Sequence, residues 1–149
     1  MRNIGPPSTG SVTRPAVLVD AGAMIALLDR GDAHHDACIA ALDDIHEPLI
    51  SVWPALAEAM HLLGDTPRAP QLLLDLIAEG GVELAALNRD DVPRISELMA
   101  KYADTPMDFA DAALVRAAEQ YGTSKILTFD KHFTVYRLGR NRRFTVLGL

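Results

Sequence analysis

The chain has 149 residues, of which 49% are hydrophobic, and a formal net charge of −6. This size and composition suit one globular domain with a substantial core, so no second domain is needed. The single cysteine, Cys38, excludes an internal disulfide framework and a cysteine-rich zinc site, and favours a reducing, cytoplasmic location. No apolar run approaches a membrane span, and the first residues lack the apolar core of a signal peptide. We therefore expect a flexible leader over residues 1–15 and one folded domain over residues 16–149.

Charge is distributed unevenly along the chain. Residues 125–149 contain six Lys or Arg and one acid, whereas residues 1–124 contain eight Lys or Arg and nineteen acids. The overall acidity argues against simple binding to polyanions, but the basic C-terminal segment is suited to contacting phosphate.

The first predicted strand covers residues 16–19 and ends at Asp20, and a helix follows from Ala21 or Gly22 to about Asp29. Open α/β folds bind their ligands at such strand-to-helix turns, so Asp20 is a candidate site residue. The structural alternative is that Asp20 only caps the helix.

The middle of the chain predicts a polar helix over residues 33–45, a strand over residues 48–51 and an apolar helix over residues 53–64. Glu58 lies among apolar neighbours in the last of these, so a purely solvated position explains it poorly. The run His34-His35-Asp36 does not predict zinc, because adjacent helix residues point in different directions. A helix over residues 71–78, a strand over residues 82–87 and a helix from Asp90 to about Tyr102 follow.

Three of the acids between residue 105 and residue 132, Asp108, Asp111 and Asp130, lie where solubility does not require them. A helix rich in alanine is predicted from Asp111 to Gly122, with Thr105 as a possible N-cap and Asp108 closing a capping box. Asp108 and Asp111, three residues apart, lie on the same face of the predicted helix. Asp108 has this capping role as an alternative, whereas Asp111 is predicted to lie past the first turn, where an acid among apolar residues needs another partner. A strand over residues 126–129 then leads to Asp130.

The predicted order of elements, β-α-α-β-α-α-β-α-α-β-β, implies an α/β fold with a mainly parallel sheet and right-handed crossovers. Asp20, Glu58, Asp111 and Asp130 come from separate elements. If these carboxylates converge, their mutual repulsion favours a bound divalent cation. An oxygen-only ligand set prefers magnesium or manganese to zinc.

Three segments resemble PIN-domain ribonucleases, in particular the VapC-type toxins of bacterial toxin–antitoxin pairs. They are VLVDAGAMIALL, ALAEAMHLL and DFADAALVRAAEQYGTSKILTFDKHF, and the likeness spans nearly everything after residue 15. It implies a three-layer α/β/α PIN-like domain. One departure is Ala21-Gly22, where the family often has a hydroxyl or Asn side chain that supports the site.

The resemblance implies metal-dependent endonucleolytic cleavage of RNA. Asp20, Glu58 and Asp111 match the core acids, Asp130 the more variable fourth acid, Asp108 an accompanying acid and Thr128 a supporting residue. The implied cofactor is Mg²⁺ or Mn²⁺, and the implied partners are RNA, a cognate antitoxin and a second copy of the chain, with no membrane. Single-stranded or looped RNA is favoured because a narrow A-form major groove hides base edges. The candidate phosphate contacts are Lys131, Arg137, Arg140 and Arg142, with ordinary solvated surface as the alternative.

Two other functions remain open. A magnesium-dependent phosphohydrolase or phospho-acceptor domain would also place acids at strand ends, although no Asp-x-Asp pair follows the first strand. A catalytically silent PIN-like binding module would retain the acids for stability or partner contact. Metal-dependent RNA cleavage distinguishes the nuclease from both.

Overall fold

The computed structural model describes residues 15–149, so the leader predicted over residues 1–15 lies almost wholly outside the described residues. Helices span Ala21–Leu28 (α1), His35–Asp43 (α2), Trp53–Leu62 (α3), Ala69–Ala78 (α4), Val92–Lys101 (α5) and Phe109–Tyr121 (α6). Strands span Val17–Val19 (β1), Leu49–Ser51 (β2), Glu83–Leu84 (β3), Lys125–Leu127 (β4), Arg137–Leu138 (β5), Arg142–Arg143 (β6) and Thr145–Leu147 (β7). Short 3-10 helices cover Arg89–Asp91 and Lys131–Thr134.

Five strands form one parallel sheet in the order β3-β2-β1-β4-β7, flanked by the six helices. The predicted three-layer α/β/α architecture is confirmed. The chain moves from β1 to β2 on one side, and β4 lies on the other side of β1. A parallel sheet opens a crevice at the carboxyl ends of its strands where the order reverses in this way, so the crevice falls between β1 and β4.

Helix α6 carries the most continuous buried face described. Ala112, Ala113, Ala117 and Ala118 are fully buried, and small side chains of this kind let the helix approach its neighbours closely. The helix contacts both α3 and α5. It ends at Gly122, whose φ of 66° is the left-handed conformation that glycine adopts without steric cost.

The start of α6 differs from the prediction at two residues. The prediction that Thr105 caps this helix is wrong, because Asp108 is the N-cap and accepts a hydrogen bond from the Asp111 backbone N–H. Buried Met107 and its N–H bond to the Tyr102 carbonyl hold the preceding residues in turns, which delays the helix. Asp111 is therefore the third helical residue, within the first turn and inside the capping box, and not beyond it as predicted.

Two further elements differ from their predicted extent. The strand predicted over residues 82–87 is reduced to Glu83–Leu84, because the chain turns where the Leu87 N–H bonds to the Ala85 carbonyl. The basic segment before β7 forms an antiparallel hairpin of β5 and β6, which the sequence did not predict. Strands of two residues are too short to show an alternating pattern.

Candidate active site and metal-binding residues

An acidic cleft of about 350 Å³ opens at the carboxyl ends of the parallel strands. Six carboxylates line it, and five of them are the acids predicted from the sequence: Asp20, Glu58, Asp108, Asp111 and Asp130. The sixth, Asp32, lies in the loop between α1 and α2. The fold thus brings together every candidate metal ligand that the sequence indicated.

Asp20 is the most deeply buried acid of the cleft. The register that pairs Val19 with Leu127 makes Asp20 and Thr128 the next residues along β1 and β4, and the Thr128 hydroxyl donates a hydrogen bond to Asp20 Oδ2. The Ala23 N–H donates to Oδ1 at 2.9 Å, so the predicted capping role is also real. Burial raises the pKa of Asp20 to about 6, although these two hydrogen bonds oppose the rise.

Thr128 also orders the loop that carries Asp130. Its Oγ1 accepts a hydrogen bond from the Asp130 N–H at 3.0 Å. Asp130 Oδ1 in turn accepts from the His132 N–H at 2.9 Å and lies 3.0 Å from His132 Nδ1. One buried threonine therefore contacts the backbone of one acid and the carboxylate of another.

Asp111 is held by its own helix and by a buried tyrosine. The Asp108 N–H donates to Asp111 Oδ2 at 3.4 Å, and the Tyr136 hydroxyl donates to the same oxygen at 3.3 Å. Burial raises the pKa of Asp111 to about 7, with repulsion from Asp108 and Asp130 adding to the rise. Burial also raises the pKa of Tyr136, which keeps its hydroxyl protonated and able to donate.

Glu58 reaches the cleft from α3. Its side chain is exposed at the rim, and no hydrogen bond or ion pair joins its carboxylate to any of residues 15–149. Partial burial raises the pKa of Glu58, and the charges of Asp108 and Asp130 raise it further. Its oxygens are therefore available to a ligand.

The chemistry of the cleft fits a hard divalent cation. All six acids offer oxygen ligands, and their mutual repulsion is the kind of strain that a cation relieves. Among the described residues, no three acidic, His or Cys side chains are arranged closely enough to hold one ion together. Internal donors occupy the carboxylates of Asp20 and Asp111 instead, so a cation would compete with those hydrogen bonds.

Comparison with known proteins agrees with this arrangement. A family model described as PIN domain matches residues 17–138. The chain belongs to the PIN-domain family. It is 30% identical to Ribonuclease VapC26 of Mycobacterium tuberculosis over 134 residues, which cover 88% of this chain and 99% of that protein.

Two solved structures share the PIN fold. Mycobacterium tuberculosis VapC20, described as a sarcin-ricin loop cleaving toxin, has a TM-score of 0.74 at 19% identity, covering 80% of this chain and 93% of its own. Rickettsia felis VapBC2, bound to a DNA fragment from its promoter, has a TM-score of 0.63 at 12% identity, covering 89% and 98%. Within the described part of the PIN domain, no helix is long and apolar enough to cross a membrane.

The four predicted phosphate contacts lie at different places on the PIN domain, and none lines the cleft as described for residues 15–149. Lys131 directly follows Asp130. Arg137 donates through one terminal nitrogen to the carbonyls of residues 134–136, which end the 3-10 helix. Arg140 lies at the hairpin tip, and Arg142 donates to Ser124 Oγ at 3.1 Å, just before the amino end of β4, whereas the cleft lies at the carboxyl ends of the strands.

Sequence reasoning missed three residues that line the cleft and one buried residue that contacts an acid of the cleft. Asp32 and His34 precede α2 in a loop with no periodic pattern, and Phe129 read as a buried strand residue. Tyr136 contacts Asp111 across 25 positions, a contact that no local spacing predicts. The only signal available was that Phe129, Phe133 and Tyr136 lie close to Asp130 in the sequence, in a chain with few aromatic residues elsewhere.

Proposed function

We propose that this PIN domain is a divalent-metal-dependent endoribonuclease and the toxin of a toxin–antitoxin pair. The observation that carries the proposal is the convergence of carboxylates from α3, α6 and the ends of β1 and β4 in one cleft. Divalent-metal dependence is general among VapC-type PIN ribonucleases, and the name of the relative at 30% identity is that of a ribonuclease.

The proposed metal ligands are Asp20, Glu58, Asp111 and Asp130, with Asp108 beside them. Mg²⁺ or Mn²⁺ bound there would activate water and neutralise charge that develops on the phosphate. The protein's own contribution is orientation: Thr128 fixes Asp20, and Tyr136 fixes Asp111. Glu58, which has no internal donor, is free to turn toward the ion or toward a water molecule.

The proposed substrate is single-stranded or looped RNA. Lys131 adjoins the cleft through Asp130 and would contact phosphates next to the scissile bond. Arg137, Arg140 and Arg142 would contact more distant phosphates along the hairpin. A positive hairpin offsets the repulsion that the acidic cleft exerts on RNA.

We also propose a cognate antitoxin, a homodimer and a cytoplasmic location. The fold shared with VapBC2 supports the antitoxin, and the single reduced cysteine supports the compartment. Such an antitoxin would block the access of RNA to the cleft until the antitoxin itself is removed.

The test is cleavage of single-stranded RNA by the purified chain with Mg²⁺, with Mn²⁺ and with a chelator. We expect cleavage that requires metal and is lost in Asp20→Asn. The matched control is Asp43→Asn, the same change at an exposed residue at the end of α2. Hydrolysis of small phosphomonoesters without RNA cleavage would favour the phosphohydrolase, and RNA binding without cleavage the silent module.

A further inference from the structure

An aromatic pair lies at the mouth of the acidic cleft and takes no part in the chemistry proposed for the acids. The imidazole of His34 stacks on the Phe129 ring, with centroids 4.5 Å apart and an interplanar angle of 5°. Both residues line the cleft, although they belong to different elements: His34 precedes α2 and Phe129 follows β4. The pair therefore lies at the opening of the cleft, next to Asp130.

The Phe129 ring of this pair has a fixed position. Phe129 packs against the core, and a Cβ placed on Gly148 would come within 3.0 Å of Phe129 Cε1 and of the Thr128 carbonyl oxygen. Gly148 has a φ of 101°, which glycine alone adopts readily. Because glycine also lacks a side chain, the backbone at residue 148 can lie this close to the Phe129 ring. The position of Phe129 is thus fixed by backbone on one side.

The His34 ring belongs to a residue whose backbone is held by hydrogen bonds and whose side chain is held by its stack on Phe129. The His34 N–H donates to Asp32 Oδ1 at 2.9 Å, and the His34 carbonyl accepts from the Cys38 N–H at 2.9 Å. The imidazole itself makes no hydrogen bond or ion pair with residues 15–149, and the residue is exposed. Phe129 covers one face of the ring, so the imidazole offers its other face and both nitrogens to solvent.

A flat, pre-positioned ring with one open face is what an unpaired nucleobase stacks on, and such stacking does not depend on which base is present. Resting on the proposed nuclease function, we propose that His34, supported by Phe129, is the stacking platform for a base next to the scissile phosphodiester. The platform selects RNA whose bases are unstacked, because a base inside a helix cannot present its face to His34. It also positions the phosphate over the acids.

The test uses a short single-stranded oligoribonucleotide carrying 2-aminopurine, whose fluorescence falls when the base stacks. Binding is measured with Mg²⁺ in the Asp111→Asn background, in which the RNA should remain intact. We expect His34→Ala to abolish the quenching and weaken binding about thirty-fold, the middle of the range for losing one base–aromatic stack. His34→Phe, which keeps the ring and loses the nitrogens, should restore both.

The matched control is His46→Ala, a change of the same residue type at an exposed position before β2. It should leave quenching and affinity as they are. Unchanged quenching in His34→Ala, or weakened binding that His34→Phe does not restore, would overturn the platform. RNA that fails to bind any form of the protein, or that is cut equally well by Asp111→Asn, would instead contradict the proposed nuclease.

Discussion

The Thr128 hydroxyl donates a hydrogen bond to the buried carboxylate of Asp20 and so joins the carboxyl ends of β1 and β4. The hydroxyl oxygen of Thr128 also accepts a hydrogen bond from the Asp130 N–H at 3.0 Å. The contact with Asp20 follows from the register of the two strands, which makes residues 20 and 128 neighbours, whereas the contact with Asp130 is local to the segment after β4. A single side chain thereby sets the position of two of the proposed ligands.

Thr128→Val should raise the pKa of Asp20 above its value of about 6, because the valine keeps the shape and removes the donor that favours the ionised form. Metal binding should then require a higher pH. Thr128→Ser is the matched control, since it retains the hydroxyl. A titration of the Asp20 carboxyl carbon by NMR measures the shift, and identical titrations in both variants would show that the hydrogen bond is unimportant.

Stability of the metal-free protein should fall as pH rises. The folded-state pKa values of about 6 for Asp20 and about 7 for Asp111 exceed the unfolded value of about 4. A raised folded pKa contributes stability that is complete below pH 4 and is lost as pH rises through 6 and 7. Thermal unfolding in a chelator should therefore show a lower Tm at pH 8 than at pH 5.

Mg²⁺ or Mn²⁺ should reverse this loss of stability at high pH, because an ion that binds the carboxylate cluster of the folded protein alone stabilises the folded state by mass action. The Tm increase should be larger at pH 8, where the acids are ionised, than at pH 5. Asp20→Asn and Asp111→Asn should each reduce both the pH dependence and the metal effect. Equal metal shifts in the two variants and the unmodified chain would mean that the ion binds elsewhere.

The cleft was predictable where an acid follows an apolar strand or interrupts an apolar helix. Asp20 and Asp130 follow short apolar runs that are typical of buried strands, and Glu58 lies among alanine and leucine. The N-terminus of α6 was not predictable, since Thr-Pro-Met-Asp and Asp-Phe-Ala-Asp both satisfy local capping rules. Burial of Met107 favours the second choice, and burial is a property of the whole fold.

Asp111 lines the cleft, but the reason that the sequence gives for expecting it there is wrong. The sequence predicts Asp111 past the first helical turn, whereas the structure places it inside the capping box. Asp32 and Tyr136 were not predicted, because the position of Asp32 in the cleft and the contact of Tyr136 with Asp111 depend on how distant segments meet. The hairpin of β5 and β6 was missed because its strands have two residues each.

Asp111→Asn should reduce RNA cleavage more than Asp108→Asn does. Asp108 is exposed, and Asn caps a helix about as well as Asp, so that variant should fold normally and lose only one peripheral charge. Asp108→Ala removes the cap as well and should cost about 1 kcal/mol of stability. Cleavage rates and urea unfolding measured together separate the two roles; a stable Asp108→Asn protein with no cleavage would make Asp108 an essential ligand.

Glu119→Ala should destabilise the fold away from the cleft. Arg94 donates to Glu119 through Nε at 2.9 Å and through a terminal nitrogen at 2.7 Å, and the Gly139 N–H donates to the same carboxylate at 2.7 Å. Its removal takes the Glu119 hydrogen bond from the hairpin amide and leaves the partly buried Arg94 guanidinium with only the exposed Glu97 as a partner, at a cost of about 2–3 kcal/mol.

The matched control for this change is Glu97→Ala, which removes the exposed partner of the same Arg94. An exposed ion pair of this kind contributes less than about 1 kcal/mol. Urea unfolding of both variants measures the difference. Similar losses in the two would show that Glu119 contributes no more than a surface pair.

Lys131→Ala and the double variant Arg140→Ala/Arg142→Ala should affect RNA binding at different RNA lengths. Lys131 adjoins the cleft, so its loss should weaken binding of short and long RNA alike and flatten the salt dependence by about 0.7 in slope for a lost single-strand phosphate contact. Arg140 and Arg142 lie on the hairpin, and Arg142 donates a hydrogen bond to Ser124, just before the amino end of β4 and away from the cleft. Their loss should therefore weaken the binding only of RNA long enough to reach both the cleft and the hairpin.

The affinity for RNA is measured over a series of salt concentrations for each RNA length. If the double variant binds long RNA normally but self-associates less, or binds a partner protein less tightly, the hairpin belongs to a protein interface and Lys131 alone guides the substrate.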